Sequence, residues 1–107
     1  MKLEELKELG KLLEDKGWSN IKYRKKIPES AGTIDVIASS KGVLKKNLLL
    51  IIASDIYDAQ IACMIFDGVP KKYQHKVVFL EEGDPFFVAD RPKDVLIIDK
   101  ADGLPLP

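Results

Sequence analysis

The run Leu48-Leu49-Leu50-Ile51-Ile52-Ala53 constrains the fold more than any other segment, because apolar residues without alternation need cover on both faces. Such a segment belongs in the middle of a sheet, with a layer of structure on each side. Its neighbours have patterns that fit. Leu3, Leu6, Leu9, Leu12 and Leu13 recur at helical spacing, Glu4 and Glu8 stand three residues before Lys7 and Lys11, and Gly17 supplies a C-terminal stop. Ile21, Tyr23 and Ile27 alternate with Lys22, Arg24 and Lys26, which predicts a strand with one solvated basic face that ends before Pro28.

Thr33 to Ala38 and Asn47 to Ala53 form the next two strands, a hairpin turned through Ser39-Ser40-Lys41-Gly42 and the Lys45-Lys46 pair. Ser54 or Asp55 then caps a second helix with apolar positions at Ile56, Ala59, Cys63 and Phe66, which stops at Gly68 before Pro70. Lys76 to Leu80 predicts a fourth strand and Val95 to Ile98 a short fifth, across an irregular stretch holding Pro85 and Pro92. The expected class is α/β: an αβββαβ core with a central mixed sheet flanked by helices.

At 107 residues and 46% apolar composition, one domain spanning 1–107 is expected, with a tail from about 100 to 107 that is frayed or serves as a short docking peptide. No apolar run reaches the ~20 residues of a membrane span, and the charged start is unlike a signal peptide, so a cytoplasmic location is expected. A single cysteine, Cys63, excludes a disulfide within the chain and a cysteine-built zinc site. With His75 the lone histidine, any metal would be a hard, oxygen-bound cation such as magnesium or manganese. The high charged fraction with few Asn and Gln fits a thermophile.

Formal net charge is zero, which argues against a strongly basic, non-specific nucleic-acid binder. The distribution is uneven: residues 1–80 hold 14 Lys and Arg against 10 Asp and Glu, whereas residues 81–107 hold 3 against 7. The densest basic run is Lys22, Arg24, Lys25 and Lys26, and with Lys41, Lys45 and Lys46 on the adjoining hairpin it offers a phosphate-tracking surface, or else a solvated strand face that discourages edge pairing. Tyr23 and Tyr73 are candidates for base stacking or for core and edge packing. Trp18 is expected to close the edge of the core, Cys63 to lie within it, and His75 to start a strand at the surface.

Gly32-Thr33-Ile34-Asp35-Val36-Ile37-Ala38, followed by the apolar third strand within this order of elements, resembles the PD-(D/E)xK nuclease superfamily, especially small archaeal Holliday junction resolvases and restriction-endonuclease-like domains. The resemblance covers roughly residues 1–80. It implies a divalent-metal site in which an Asp on the second strand and an acid on the third hold the cation, and a Lys two residues further on helps activate water. Asp35 matches the first acid, while Ile52 stands where the second belongs and Ser54 where the Lys belongs. The family's frequent helix glutamate falls at Leu6, beside Glu5, with Glu4 and Glu8 also near. Restoring a site would require Asp55 or Asp58 to reach back from the second helix and Lys71 or Lys72 to replace the Lys.

The leading expectation is therefore a catalytically degenerate nuclease-like domain, an interaction or regulatory subunit associated with nucleic acid. Its partners would be nucleic acid, a second copy in a homodimer, or a catalytically active protein, and it would need no cofactor. One alternative is an active Mg- or Mn-dependent nuclease with a migrated site at Asp35, Asp55 and Asp58, where Asp35 is the metal ligand. The other is a structural α/β adaptor. A contrasting reading of Asp35 makes it a polar residue at a strand end, hydrogen-bonded to the turn after Ser30-Ala31-Gly32.

Overall fold

A computed structural model describes residues 1–107. Elements follow in the order α1 (Leu3–Asp15), β1 (Trp18–Lys25), β2 (Ile34–Ser40), β3 (Asn47–Ala53), α2 (Ile56–Asp67), β4 (His75–Leu80) and β5 (Val95–Ile98), with short 3-10 turns at Pro85–Phe87 and Ala101–Gly103. The five strands form one sheet in chain order, antiparallel between β1, β2 and β3 and parallel between β3, β4 and β5. This is the expected αβββαβ core, extended by β5. No helix is long and apolar enough to cross a membrane.

The apolar run takes the central place. Leu48 and Leu50 join the core beneath α1 with Leu6, Leu9, Leu13, Val36, Ala38 and Val77, while Leu49, Ile51 and Ala53 join the core beneath α2 with Ala59, Ala62, Phe66, Val78 and Leu80. Successive side chains of a strand point to opposite faces, so a strand buried on both has no position left for a polar residue. Burying each such Leu or Ile contributes about 1.5–3 kcal/mol.

Three backbone features depart from the simple patterns. Gly17 stops α1 at φ +104°, where a side chain would be strained, and its N–H bonds back to the Glu14 carbonyl. Within β1, Asn20 (φ 51°) marks a bulge that shifts the pairing register between Ser19 and Lys22, and Arg24 (φ 53°) turns the strand's end. As a result Ile21 and Tyr23 pack on the α1 side but Ile27 packs on the α2 side, outside the strand, contrary to the unbroken alternation of the sequence. The third is in β2: Ile34 packs under α2 and Val36 under α1, so the alternation breaks at Asp35.

The parallel connection from β4 to β5 contains no α-helix. Segment 81–94 instead passes beside α2, with Gly83 against Ile56 and Val88 in the core beneath that helix. The tail is anchored rather than frayed. Leu104 is buried, Trp18 Nε1 donates to the Pro105 carbonyl at 2.8 Å, and Lys16 Nζ donates to the Leu104 carbonyl at 3.0 Å.

Candidate functional site

Asp35 lies where the β2–β3 ladder gives out. The last paired residues are Val36 and Leu50, and beyond them the Asp35 carboxylate accepts the Ile52 N–H at 2.7 Å, replacing a carbonyl that the diverging backbone no longer offers. The turn at Ser30-Ala31-Gly32 does not hold it, because Ser30 Oγ closes that turn itself, donating to the Gly32 carbonyl at 2.7 Å and accepting the Gly32 N–H. Asp35 is half-buried, and Ile52, which occupies the position of the second acid, packs partly against the α1 core.

Asp55 and Asp58 are joined to each other through the start of α2. Asp55 is the N-cap, its carboxylate accepting the Asp58 N–H at 2.8 Å, and Asp58 reaches back to accept the Ser54 N–H at 2.8 Å and the Ser54 hydroxyl at 3.3 Å. This reciprocal cap satisfies amides that the helix leaves free. Asp35 and Asp58 thus hold backbone amides two residues apart at the end of β3, about 7 Å along a strand. Each of the two carboxylates is engaged by the backbone of β3 through one oxygen, and a divalent cation would have to be held by the other. No three His, Cys, Asp or Glu side chains gather as a metal-holding group.

The other groups named for a migrated site point elsewhere. Lys72 binds Glu29 at 2.7 Å, and Tyr73 donates to the same carboxylate at 3.2 Å, an arrangement that holds the β1–β2 loop against the α2–β4 loop and keeps the Glu29 carboxyl below its ordinary range. Lys71 is exposed. Glu5 accepts the Lys2 N–H at 3.2 Å and so closes the start of α1, while Glu4 and Glu8 are exposed.

The basic residues divide into groups. Lys22, Lys25 and Lys26 are exposed along β1, the edge strand, where Lys25 pairs opposite Ile34 at the Asp35 end of the sheet. Lys41, Lys45 and Lys46 are exposed on the β2–β3 hairpin at the opposite end, about 20 Å away over the length of β2. Between Lys45 and Lys41, Val43 and Leu44 project into solvent. Arg24 is exposed as well, and its guanidinium donates to the Met1 carbonyl at 3.0 Å. Beside the edge, Asn20, Lys22, Ile37, Ser39 and Asn47 line a shallow depression in the sheet face that α2 leaves uncovered.

Trp18 is buried and meets His75 edge-on, ring centres 5.2 Å apart, and burial together with the Lys46 charge pushes the His75 imidazole below its ordinary value. Cys63 is buried under α2, which pushes its thiol up. Tyr73 packs partly against the α2 core and Tyr23 against the α1 core, neither laid open as a stacking platform.

One ionic feature has no counterpart in the sequence reading. Lys76, only 3% exposed, donates to the Val69 carbonyl at 2.8 Å and to Asp94 at 2.7 Å, fastening β4 to the segment entering β5. Its sequence context, one lysine opening an apolar strand, looks like an ordinary solvated strand end.

No family model, curated protein or solved structure matches the chain.

Proposed function

We propose that the chain is a nuclease-like α/β domain that does not cut, an interaction or regulatory subunit that contacts nucleic acid along the β1 edge and the β2–β3 hairpin. The observation that carries this reading is the Asp35–Ile52 bond. The acid that matches the nuclease motif serves as a brace for β3, beside an apolar residue at the second acid's position. A metal bound there would share the carboxylate with that bond and would find no second ligand from the side chain at position 52.

Support for the nucleic-acid contact is electrostatic. Lys22, Lys25, Lys26, Lys41, Lys45 and Lys46 are exposed on one edge and its hairpin, a length of about 20 Å that spans several phosphates at ~3.4 Å per nucleotide of one strand. β5 forms the opposite edge of the sheet, and the acidic excess of residues 81–107 balances the basic excess of residues 1–80 to give zero net charge. Such a domain would act beside a catalytically active protein or as part of a dimer.

The test is to incubate the protein and Asp35→Ala with single-stranded, duplex and branched DNA and RNA in Mg²⁺ or Mn²⁺, and to measure binding by fluorescence anisotropy over a salt series. The expected result is no cleavage, with salt-dependent binding that Lys25→Glu weakens and Asp35→Ala leaves unchanged. Cleavage that Asp35→Ala abolishes would replace this reading with the migrated nuclease site. Absence of any salt-dependent binding would replace it with the structural adaptor.

A further inference from the structure

α2 is apolar over most of its surface, with Asp58, Gln60 and Asp67 its polar residues. Ala59, Ala62, Cys63 and Phe66 face the sheet, as a packed helix requires, yet the outward stripe Tyr57, Ile61, Met64 is apolar as well, at positions i, i+4 and i+7. An apolar stripe along a helix is ordinarily covered. Here the outer stripe is open, with Tyr57 72%, Ile61 40% and Met64 75% exposed.

The crossover segment widens this stripe. It begins at Gly83 beside Ile56, and Ala89, Asp90 and Pro92 share a cleft of ≈ 500 Å³ with Cys63 and Met64, so Phe86 and Phe87 fall between these two contacts along the helix. These two rings, in edge-on contact with each other, are 78% and 67% exposed. At about 200 Å² for a fully exposed large side chain, the five residues present on the order of 600 Å² of surface. That reaches the top of the patch range of a solitary protein and approaches the ~800 Å² per partner of a standard interface.

Charge says what fits there. The N-terminal end of α2 and its flank carry Asp55, Asp58, Glu82 and Asp84, with Glu81 paired to the Met1 ammonium at 3.7 Å, whereas the C-terminal end and its flank carry Lys71, Arg91 and Lys93 alongside Asp67 and Asp90. Ile61 is near the midpoint of the helix. A two-fold axis through Ile61 therefore sets the acidic end of one copy against the more basic end of the other. The same operation brings Tyr57 opposite the partner's Ile65 and within one residue, about 1.5 Å along the axis, of the partner's Met64, close enough for a favourable sulfur–aromatic contact.

From these relations we infer that the outer face of α2, with Phe86 and Phe87, is the seat of a symmetric dimer in which α2 packs antiparallel against α2 of a second copy. The contact lies on the helix covering β3 and β4, away from the β1 edge, and stands independently of any contact with nucleic acid.

Sedimentation equilibrium over the micromolar range, with circular dichroism to verify folding, tests it. A reversible wild-type dimer is expected, with Met64→Lys folded and its dissociation constant raised at least about tenfold. Glu82→Lys and Arg91→Glu should each weaken the dimer, and the two together should restore it. A wild-type chain that stays monomeric throughout, or a folded Met64→Lys chain that dimerises as tightly as wild type, would overturn the assignment. Failure of the charge exchange to restore association would overturn the antiparallel arrangement.

Discussion

The carboxylate of Asp35 accepts the backbone N–H of Ile52 at 2.7 Å, across the point where β2 and β3 stop pairing. An acid held in this way is part of the sheet. Asp35→Ala strands a half-buried donor and should lower stability by about 1–3 kcal/mol, whereas Asp35→Asn keeps an acceptor oxygen in place and should recover much of the loss. Urea unfolding midpoints of the two variants check this; equal losses would show that charge rather than hydrogen bonding matters at this position.

Trp18, the sole tryptophan, ties the C-terminal segment to the start of β1 through Pro105. Removing residues 104–107 takes away both that acceptor and the buried Leu104, so the indole should become wetter and the domain less stable by about 2–4 kcal/mol. Red-shifted Trp emission with a lower melting temperature is the expected outcome. Unchanged emission would mean the tail does not cover the ring in solution.

Lys76 and Asp94 form an ion pair with one end buried and the other 42% exposed. Asp94→Asn should cost about 1–2 kcal/mol, less than the 3–5 of a fully buried pair, because water reaches the carboxylate side. The Lys76 bond holds the Asp94 carboxyl below its ordinary value. A lowered folded value means that the stabilisation is complete above the unfolded carboxylate's range, near 4, and is lost as pH falls through the folded value. Unfolding midpoints measured from pH 6 to pH 2 should show that decline in the wild type and a shallower one in Asp94→Asn.

His75 has the same sign with the opposite charge chemistry. Its value is lowered by burial against Trp18 and by Lys46, so the folded chain favours the neutral ring. Stability should be unaffected above the ordinary histidine range, near 6.5, and should fall as pH drops from there toward the lower folded value. His75→Phe should remove that slope while keeping an edge-on aromatic ring. An NMR titration showing the His75 ring protonating at or above its unfolded value would refute the assignment.

Gly10 lies in the middle of α1 with the Tyr23 hydroxyl directly against it, so close that an added Cβ would overlap the phenol. Replacing glycine by alanine within a helix ordinarily gains about 1 kcal/mol. Here Tyr23 must give way, and overpacking of this kind costs about 1–3 kcal/mol. Gly10→Ala is therefore expected to destabilise, and Gly10→Ala with Tyr23→Phe to regain part of the loss, because the ring carbon and Ile21 still crowd the added methyl. A more stable single variant would show that α1 slides freely on β1.

How much of this was legible in the chain differs by element. β3 and β5 run as their apolar segments indicated, and Asp55 caps α2 as its position before Ile56 suggested, because strand burial and helix capping are local rules written in neighbouring residues. β1 departs from its alternation at Ile27, since positive φ at Arg24 turns the chain between Tyr23 and Ile27 and the residue does not announce it. The segment 81–94 offered only its prolines as a signal. Its course beside α2 follows from contacts with Ile56 and the core, far away in sequence.

The candidate site divides in the same way. The sequence by itself determined that Ile52 and Ser54 stand where an acid and a lysine are wanted, and that lysines crowd β1 and the hairpin, because residue type and spacing need no third dimension. Tertiary structure alone decided what the remaining acids do. Asp35 finds Ile52, Asp58 finds Ser54, Lys76 finds Asp94 and Arg24 turns to Met1. A charged side chain takes whichever partner the folded backbone leaves unsatisfied nearby, and which amides and carbonyls are left over is settled only once the strands have paired and the helices have docked.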